Sequence, residues 1–291
     1  MSRGYPSHRA NQRGVALLLV LWACTLLAIL LGGYAALART EGLQARYQFA
    51  QTQAHYAAEA GIMRAVYGLQ DPLPGRRWVG DGHVYVFHYD HATVKVSAVS
   101  ESGKVDLNTA TPEVLQGLFQ AAGVTPTLAQ KLTGHVVTWR SAPGGAGETG
   151  AERAAYVAAG RDYGPRHGPF ASVEELQMVL GITPTIYQAV APNVTVWSGA
   201  TTPDAETAPE MVLAAIPGMT PQRESEVRAT RLRWQLDPML VPGNGTTHSI
   251  RSQATLADGT RAVVRATIRL QMGHPGVQPY AVLRWREGDG Q

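Results

Sequence analysis

A run of 24 uncharged residues, Val15 to Ala38, directly behind a short basic leader fixes what the first part of this chain can be. Its opening stretch, VALLLVLWACTLLAILL from Val15 to Leu31, is apolar or nearly so throughout. At about 1.5 Å rise per residue, about 20 such residues cross a hydrocarbon core about 30 Å thick. The leader carries Arg3, Arg9 and Arg13 and no acidic residue. The positive-inside bias therefore holds Met1 to Gly14 in the cytoplasm and sends the rest of the chain across the membrane. A secretory signal peptide has an apolar core of about 7 to 15 residues, and this run is longer. The sequence thus predicts one membrane-spanning segment, and at this point either a permanent anchor or a processed N-terminus fits it.

The helical signal does not stop at the end of the span. Leu43, Tyr47, Ala50, Ala54, Ala57, Gly61, Ala65 and Leu69 follow one another at three- and four-residue spacing, the period of an amphipathic helix. Alanine is frequent here, which favours helix and leaves a thin stripe suited to close packing. A single helix from Val15 to Leu69 would be about 80 Å long, too long for one globular domain to cover. It must pack on neighbours or protrude.

Charge and cysteine content exclude several classes of function. The chain has 25 basic and 22 acidic residues, and without the three leader arginines the balance is neutral, which makes a poor nucleic-acid binder. The only cysteine, Cys24, lies within the apolar run, so no intramolecular disulfide forms and no thiol chemistry operates in the soluble part. The sequence contains no Gly-x-Ser-x-Gly elbow, no phosphate-loop lysine and no His-Glu-x-x-His. His83, His88 and His91 form the one histidine cluster, but odd spacing puts His83 and His88 on opposite faces of a strand. The expectation is a protein that is not an enzyme.

The soluble part reads as strands, then helices, then strands. His83–Tyr89 and Thr93–Val99 alternate across an Asp90-His91-Ala92 turn, and Ser249–Leu256 and Arg261–Met272 flank Asp258-Gly259, a two-residue hairpin signal. Tyr280–Arg286 supplies a last strand. Arg265, Arg269, Arg284 and Arg286 are expected on a solvated sheet face.

Between the strand sets lies a loose internal repeat. Asn108-Thr109-Ala110-Thr111-Pro112-Glu113-Val114-Leu115 leads to Gly123-Val124-Thr125-Pro126, and Glu206-Thr207-Ala208-Pro209-Glu210-Met211-Val212-Leu213 leads to Pro217-Gly218-Met219-Thr220-Pro221. A partial copy runs from Ser172-Val173-Glu174-Glu175-Leu176 to Gly181-Ile182-Thr183-Pro184. Thr or Ser caps a helix, Pro suits its first turn, Glu complements its dipole, Gly ends it and Thr-Pro begins the next. Each copy is expected to be a short helical hairpin. Such hairpins are similar to helix-hairpin-helix modules, which hold nucleic-acid phosphate on backbone N–H groups. Here Pro replaces one N–H donor, and only Lys131 and Arg223 lie near the turns, so nucleic acid is not an expected partner.

A basic leader ending in glycine, an apolar helix that begins at once, and Tyr56-Ala57-Ala58-Glu59-Ala60-Gly61-Ile62 in its continuation resemble a type IV pilin-like precursor. The resemblance implies prepilin-peptidase cleavage between Gly14 and Val15 and methylation of Val15. Most members carry Glu at the fifth mature position, where this chain has Leu19. A carboxylate in hydrocarbon needs a partner, which in such filaments is the N-terminal ammonium of the adjacent subunit, and a chain without it needs no neighbour on that side. That is the pattern of a filament-end subunit and is similar to minor pseudopilin K of type II secretion. Asn108-Thr109-Ala110, Phe170-Ala171-Ser172-Val173-Glu174-Glu175-Leu176 and Glu206-Thr207-Ala208 stand in the order of that family's stretches.

The resemblance implies an α+β fold: a long N-terminal transmembrane and amphipathic helix, a pilin-like antiparallel sheet, and a large all-helical domain inserted between strands. The expected divisions are a leader 1–14, a span 15–38, the amphipathic helix 39–70, first sheet part 71–104, insert 105–233 and second sheet part 234–291. It also implies an inner-membrane, single-pass protein with its bulk in the periplasm, at the tip of a pseudopilus. There it would initiate or cap assembly and support export across the outer membrane. Its partners would be the I-type and J-type minor pseudopilins, the major pseudopilin with its inner-membrane assembly platform, and prepilin peptidase. The alternative is an uncleaved single-pass envelope protein with a helical-hairpin binding module. Some members bind calcium in an Asp-rich loop after the Trp of the first insert helix. Here Trp139 is followed by Arg140-Ser141-Ala142-Pro143-Gly144-Gly145-Ala146-Gly147, so Glu148, Glu152 and Asp162 would be the remaining ligands. Calcium needs about 6 to 8 oxygens, and a solvated Gly-rich loop is the expected reading.

Overall fold

The computed structural model describes residues 12–144, 146–236, 246–271 and 278–288. Helix α1 runs from Gln12 to Leu69. Two compact units divide within it, one ending at Ala54 and the other running from His55 to the C-terminus.

In the first unit, α1 carries the uncharged run with its side chains outward. An 18-residue window reaches a mean hydropathy of 2.7 with none of it buried, and this is the one described helix long and apolar enough to cross a membrane. By length and composition it is a candidate membrane span.

The second unit contains a five-stranded antiparallel sheet. Its strands are β1 (Asp81–Tyr89), β2 (Ala92–Ser100), β5 (Thr247–Leu256), β6 (Arg261–Leu270) and β7 (Tyr280–Glu287), in the spatial order β1-β2-β5-β6-β7. The part of α1 beyond His55 lies across one face. Ala57, Ala58, Ile62, Ala65, Val66 and Leu69 are buried there, against a strand face that includes Val94, Val96, Ala98, Ile250, Ala254, Val264 and Ile268. Small residues set how close the helix lies. A Cβ on Gly61 would sit 2.0 Å from Ser252 Oγ and 2.9 Å from both Val94 and Val96 side chains.

All three sheet hairpins and ladders follow the alternation in the sequence, with local differences at the turns. The β1–β2 turn contains Asp90 at φ 52° and His91, and Ala92 already pairs with Tyr89. The β5–β6 turn is not a two-residue one. Leu256 N donates to Thr260 O at 2.9 Å and Gly259 N to Leu256 O at 3.0 Å, so Ala257, Asp258 and Gly259 form a three-residue loop. Gly259 closes it at φ 87°. Asp-Gly serves equally as the last two residues of this longer turn, so the dipeptide marks the hairpin but not its loop length.

Between β2 and β5 the chain forms the helical insert: β3 (Val105–Asp106), α2 (Pro112–Ala121), α3 (Pro126–Arg140), α4 (Ala146–Ala158), α5 (Pro184–Val190), β4 (Val194–Thr195), α6 (Glu210–Ala215) and α7 (Pro221–Leu236). Its own core gathers Leu107, Leu115, Leu118, Phe119, Leu132, Trp139, Leu176, Val194 and Leu213 among others. Helix α2 is the hub and packs on both α3 and α6. A Cβ on Gly117 would meet the Ala215 carbonyl oxygen at 2.5 Å, so only glycine lets α2 and α6 approach this closely.

The capping pattern holds in part. Thr111 Oγ1 accepts from Val114 N at 3.4 Å, Thr183 Oγ1 from Ile186 N at 3.3 Å and Thr220 Oγ1 from Arg223 N at 3.3 Å. Helix α6 departs from it. Its N-cap is Pro209, while Thr207 turns to Asp204 Oδ2 at 2.9 Å, because this copy of the repeat is one residue shorter before its Pro-Glu. The middle copy forms a 3-10 helix over Val173–Met178 with no side-chain cap from Ser172. The segment after Arg140, read as a Gly-rich loop, becomes α4 from Ala146 onward. The Ala-rich stretch beyond Gly150 favours helix, and Tyr156, 3 % exposed, anchors it in the insert core.

Candidate functional site

Asn108-Thr109-Ala110 is the mechanical centre of the insert. The Asn108 amide pairs with the Phe170 backbone as a strand would: Phe170 N donates to Asn108 Oδ1 at 2.7 Å, and Asn108 Nδ2 donates to Phe170 O at 3.1 Å. Thr109 Oγ1 donates to Ala200 O at 2.8 Å. Just before them, Asp106 is buried and accepts from Asn108 N and Gly199 N at 2.8 Å each and from Ser198 Oγ at 3.1 Å. Beside these contacts, Val105 and Asp106 pair in parallel with Val194 and Thr195. Three chain regions far apart in sequence are thereby fastened at one place.

The Phe170 stretch supplies the second fastening through Glu175. Its carboxylate accepts from Trp139 Nε1 at 3.0 Å, from Arg166 at 2.8 and 2.9 Å, and from Ala171 N at 2.8 Å. Burial pushes this carboxyl up, but the bonds from Arg166, Ala171 and Trp139 outweigh it and hold it below the usual Glu value. Glu174 points elsewhere and accepts on Oε1 from Arg284 and Arg286 of β7, the latter at 2.9 Å. Those two arginines therefore meet the insert, where the sequence places them on a solvated face.

A pair of arginines repeats the same job in the two full copies of the repeat, and sequence reading missed it. Arg140 at the end of α3 donates to Leu107 O at 2.8 Å and Ala110 O at 2.6 Å. Arg231 in α7 donates to Ala205 O at 2.6 Å, Ala208 O at 2.5 Å and Glu206 O at 2.8 Å. In each copy one guanidinium bridges two carbonyls three residues apart, just ahead of the first helix of its pair. Desolvation lowers the pKa of both, as expected of a half-buried cation. The signal was available: each second helix carries an arginine in its later turns, but at offsets from the Thr-Pro start that differ by one helical turn.

The remaining sequence-predicted residues do not converge. Gly14 and Val15 lie in the first turn of α1, and most of the leader lies outside the described residues. Leu19 is exposed on the apolar helix. Of the three calcium candidates, the side chain of Glu148 lies outside the described residues. Glu152 faces His167 Nε2 at 3.2 Å, and Asp162 is exposed. Among the described residues no group of three or more His, Cys, Asp or Glu side chains that could hold a metal ion gathers. The helical turns carry Gly123, Gly181 and Gly218 at φ 84°, 84° and 74°, the left-handed close of a hairpin.

Residues 95–199 match the family model described as type II secretion system, protein K. No curated protein sequence matches the chain. In fold, it resembles a chain of the crystal structure of the GspK-GspI-GspJ complex of the enterotoxigenic Escherichia coli type 2 secretion system. The TM-score is 0.58 at 17% identity, over 85% of this chain and 100% of that one.

Proposed function

We propose that this chain is a member of the type II secretion system protein K family and is the minor pseudopilin that ends the pseudopilus and starts or caps its assembly. The single observation that carries the reading is the order of parts: the segment matching protein K stands behind an N-terminal helix that is apolar, uncharged and exposed along its span. Leu19 adds the position. A subunit with a carboxylate there must find the ammonium of a neighbour within hydrocarbon, and Leu19 makes no such demand. A chain without that demand suits the end of a filament, where one neighbour is missing.

The rest of the reading follows from it. Prepilin peptidase cuts between Gly14 and Val15 and Val15 is methylated, leaving the mature helix embedded in the inner membrane with the sheet and insert in the periplasm. Like the neighbour named with GspI and GspJ, this chain assembles with I-type and J-type minor pseudopilins. The members of this family are structural parts of a secretion apparatus, and the insert fastenings described above are those of a rigid body rather than of a reaction centre. Calcium has no role in this reading.

The first experiment is the N-terminal mass of the membrane-extracted protein with and without co-expressed prepilin peptidase. A peptidase-dependent start at methylated Val15 is expected, and an intact Met1 or Ser2 terminus under both conditions would overturn processing. The second is Leu19→Glu. At the filament end the new carboxylate has no ammonium to meet, so assembly should be unchanged or impaired, and improved assembly would overturn the tip position.

A further inference from the structure

The insert and the sheet are joined by attachments of opposite physical character. At the base, where the chain leaves β2, Glu101 is 1 % exposed and pairs at 2.7 Å with Lys104, itself 15 % exposed. Asp204 N donates to Ser102 O at 2.9 Å, and a Cβ on Gly103 would lie 2.4 Å from Thr207 O. This attachment is close, buried and built largely on backbone, so salt hardly reaches it. Farther along, the attachment faces solvent. Glu174, on the 3-10 helix of the insert, gives one carboxylate oxygen to both Arg284 and Arg286 of β7, and these three side chains are 38 %, 24 % and 52 % exposed. Arg284 also stands 6.0 Å from the ring centroid of Trp197 in the insert.

Space separates the two bodies between these attachments. A cavity of about 560 Å³ has Val99, Ile250 and Thr267 on its sheet side and Pro192, Asn193 and Pro209 on its insert side, and Arg284 and Arg286 reach its edge. The apolar cores are separate as well. The buried cluster of the insert runs from Val105 to Ala215 and takes in no residue of the five-stranded sheet. Bodies with separate cores and a small polar junction move relative to one another unless something pins them.

We infer that Glu174 with Arg284 and Arg286 is an ionic latch: closed, it holds the insert down on the sheet, and released, it lets the insert swing about the Glu101–Lys104 base. Two guanidinium groups on one carboxylate are directional enough to fix a single orientation, while solvent exposure keeps the contact weak enough to open. The fastenings through Asn108, Glu175, Arg140 and Arg231 all lie within the insert, so it moves as one piece. The inference concerns the single chain and does not rest on the filament-end reading.

The test measures distances between two spin labels by electron–electron double resonance on the detergent-solubilised full chain with Cys24→Ser. The labels sit on Lys95→Cys in β2 and Lys131→Cys in α3, both exposed positions. At about 50 mM salt, where exposed charges are weakly screened, one narrow distance is expected. Glu174→Gln should add a second, longer distance and raise the open-to-closed ratio about threefold or more, and an unchanged distribution overturns the latch. Arg284→Gln/Arg286→Gln should match it, and the triple variant should add little, since all three side chains act on one contact. Additive broadening would show general loosening and overturn the proposal. Glu210→Gln breaks a comparably exposed pair with Arg228 inside the insert and should leave the distance alone, so an equal effect there is also fatal. Raising salt to about 1 M, where the screening length falls to about 3 Å, should open the unsubstituted latch in the same way. That arm keeps the proposal refutable if a variant does not fold, because a distance indifferent to salt would overturn it.

Discussion

Arg140 and Arg231 show how single side chains carry the insert. Each bridges backbone carbonyls that would otherwise be partly buried without a donor, and an unpaired buried carbonyl costs about 1 to 3 kcal/mol. Arg140→Met keeps much of the apolar stem but removes the fork. It is expected to lower unfolding free energy by about 2 to 4 kcal/mol, measured by urea titration, and Arg231→Met should do the same. Lysine should not restore either site, because one ammonium cannot reproduce two fixed N–H directions. Full rescue by Arg140→Lys would show that charge alone acts there. These residues also mark the limit of sequence reading. Asn108, Phe170 and Glu175 were legible as stretches in a set order, but their reason, one amide pairing with one backbone and one carboxylate joining Trp139 to Arg166, depends on contacts across the chain that spacing does not display.

Among the elements, the hairpins and the Thr-Pro helix starts were legible because their signals are local: alternation for β1, β2, β5 and β6, and caps with a first-turn proline for α2, α5 and α7, while Thr125-Pro126 starts α3 without a side-chain cap. The misread elements were those decided by tertiary contact. Helix α4 forms behind glycines because Tyr156 is held in the core, and Val173–Met178 tightens to a 3-10 helix where Glu175 is drawn to its three donors. Helix-to-sheet packing leads to a further test. Gly61 lies where any Cβ would collide with Ser252, Val94 and Val96, so Gly61→Leu must push α1 off the strands. Overpacking of this kind costs about 1 to 3 kcal/mol or more, and a fall in thermal midpoint of several degrees is expected. Gly42→Leu, with nothing within 4 Å of its Cβ position, is the control and should leave the midpoint unchanged.

For the whole molecule, acid should weaken the fold in two stages. His248 is completely buried with no hydrogen-bond partner on either ring nitrogen among the described residues, and desolvation lowers its pKa to about 4 despite the opposing pull of Glu101. The unfolded chain then binds a proton that the folded one refuses, so stability falls as pH drops from about 6.5 to 4. The loss is about 1.4 kcal/mol per pH unit across that window, about 3 kcal/mol in all. Glu174 and Glu175 act lower down. Their folded pKa values lie below the ordinary one, so the stability they contribute at neutral pH is lost only as pH falls below about 4.5. His248→Leu should flatten the upper stage in a pH series of urea midpoints and leave the lower one. An unchanged upper stage would place its cause elsewhere.

The central rung of the sheet joins β2 to β5, strands between which the entire insert is made. On either side of that rung the pairings are local: β1 with β2, and β5 with β6 and then β7. Closing a long loop costs entropy before any contact repays it, so the β2–β5 seam is the slow step unless the insert first collapses and draws its ends together. The parallel Val105–Val194 bridge shortens much of that loop ahead of time. Compaction of the insert is thus what brings β2 and β5 within reach of each other, and strand order rather than sheet strength sets how quickly the sheet closes.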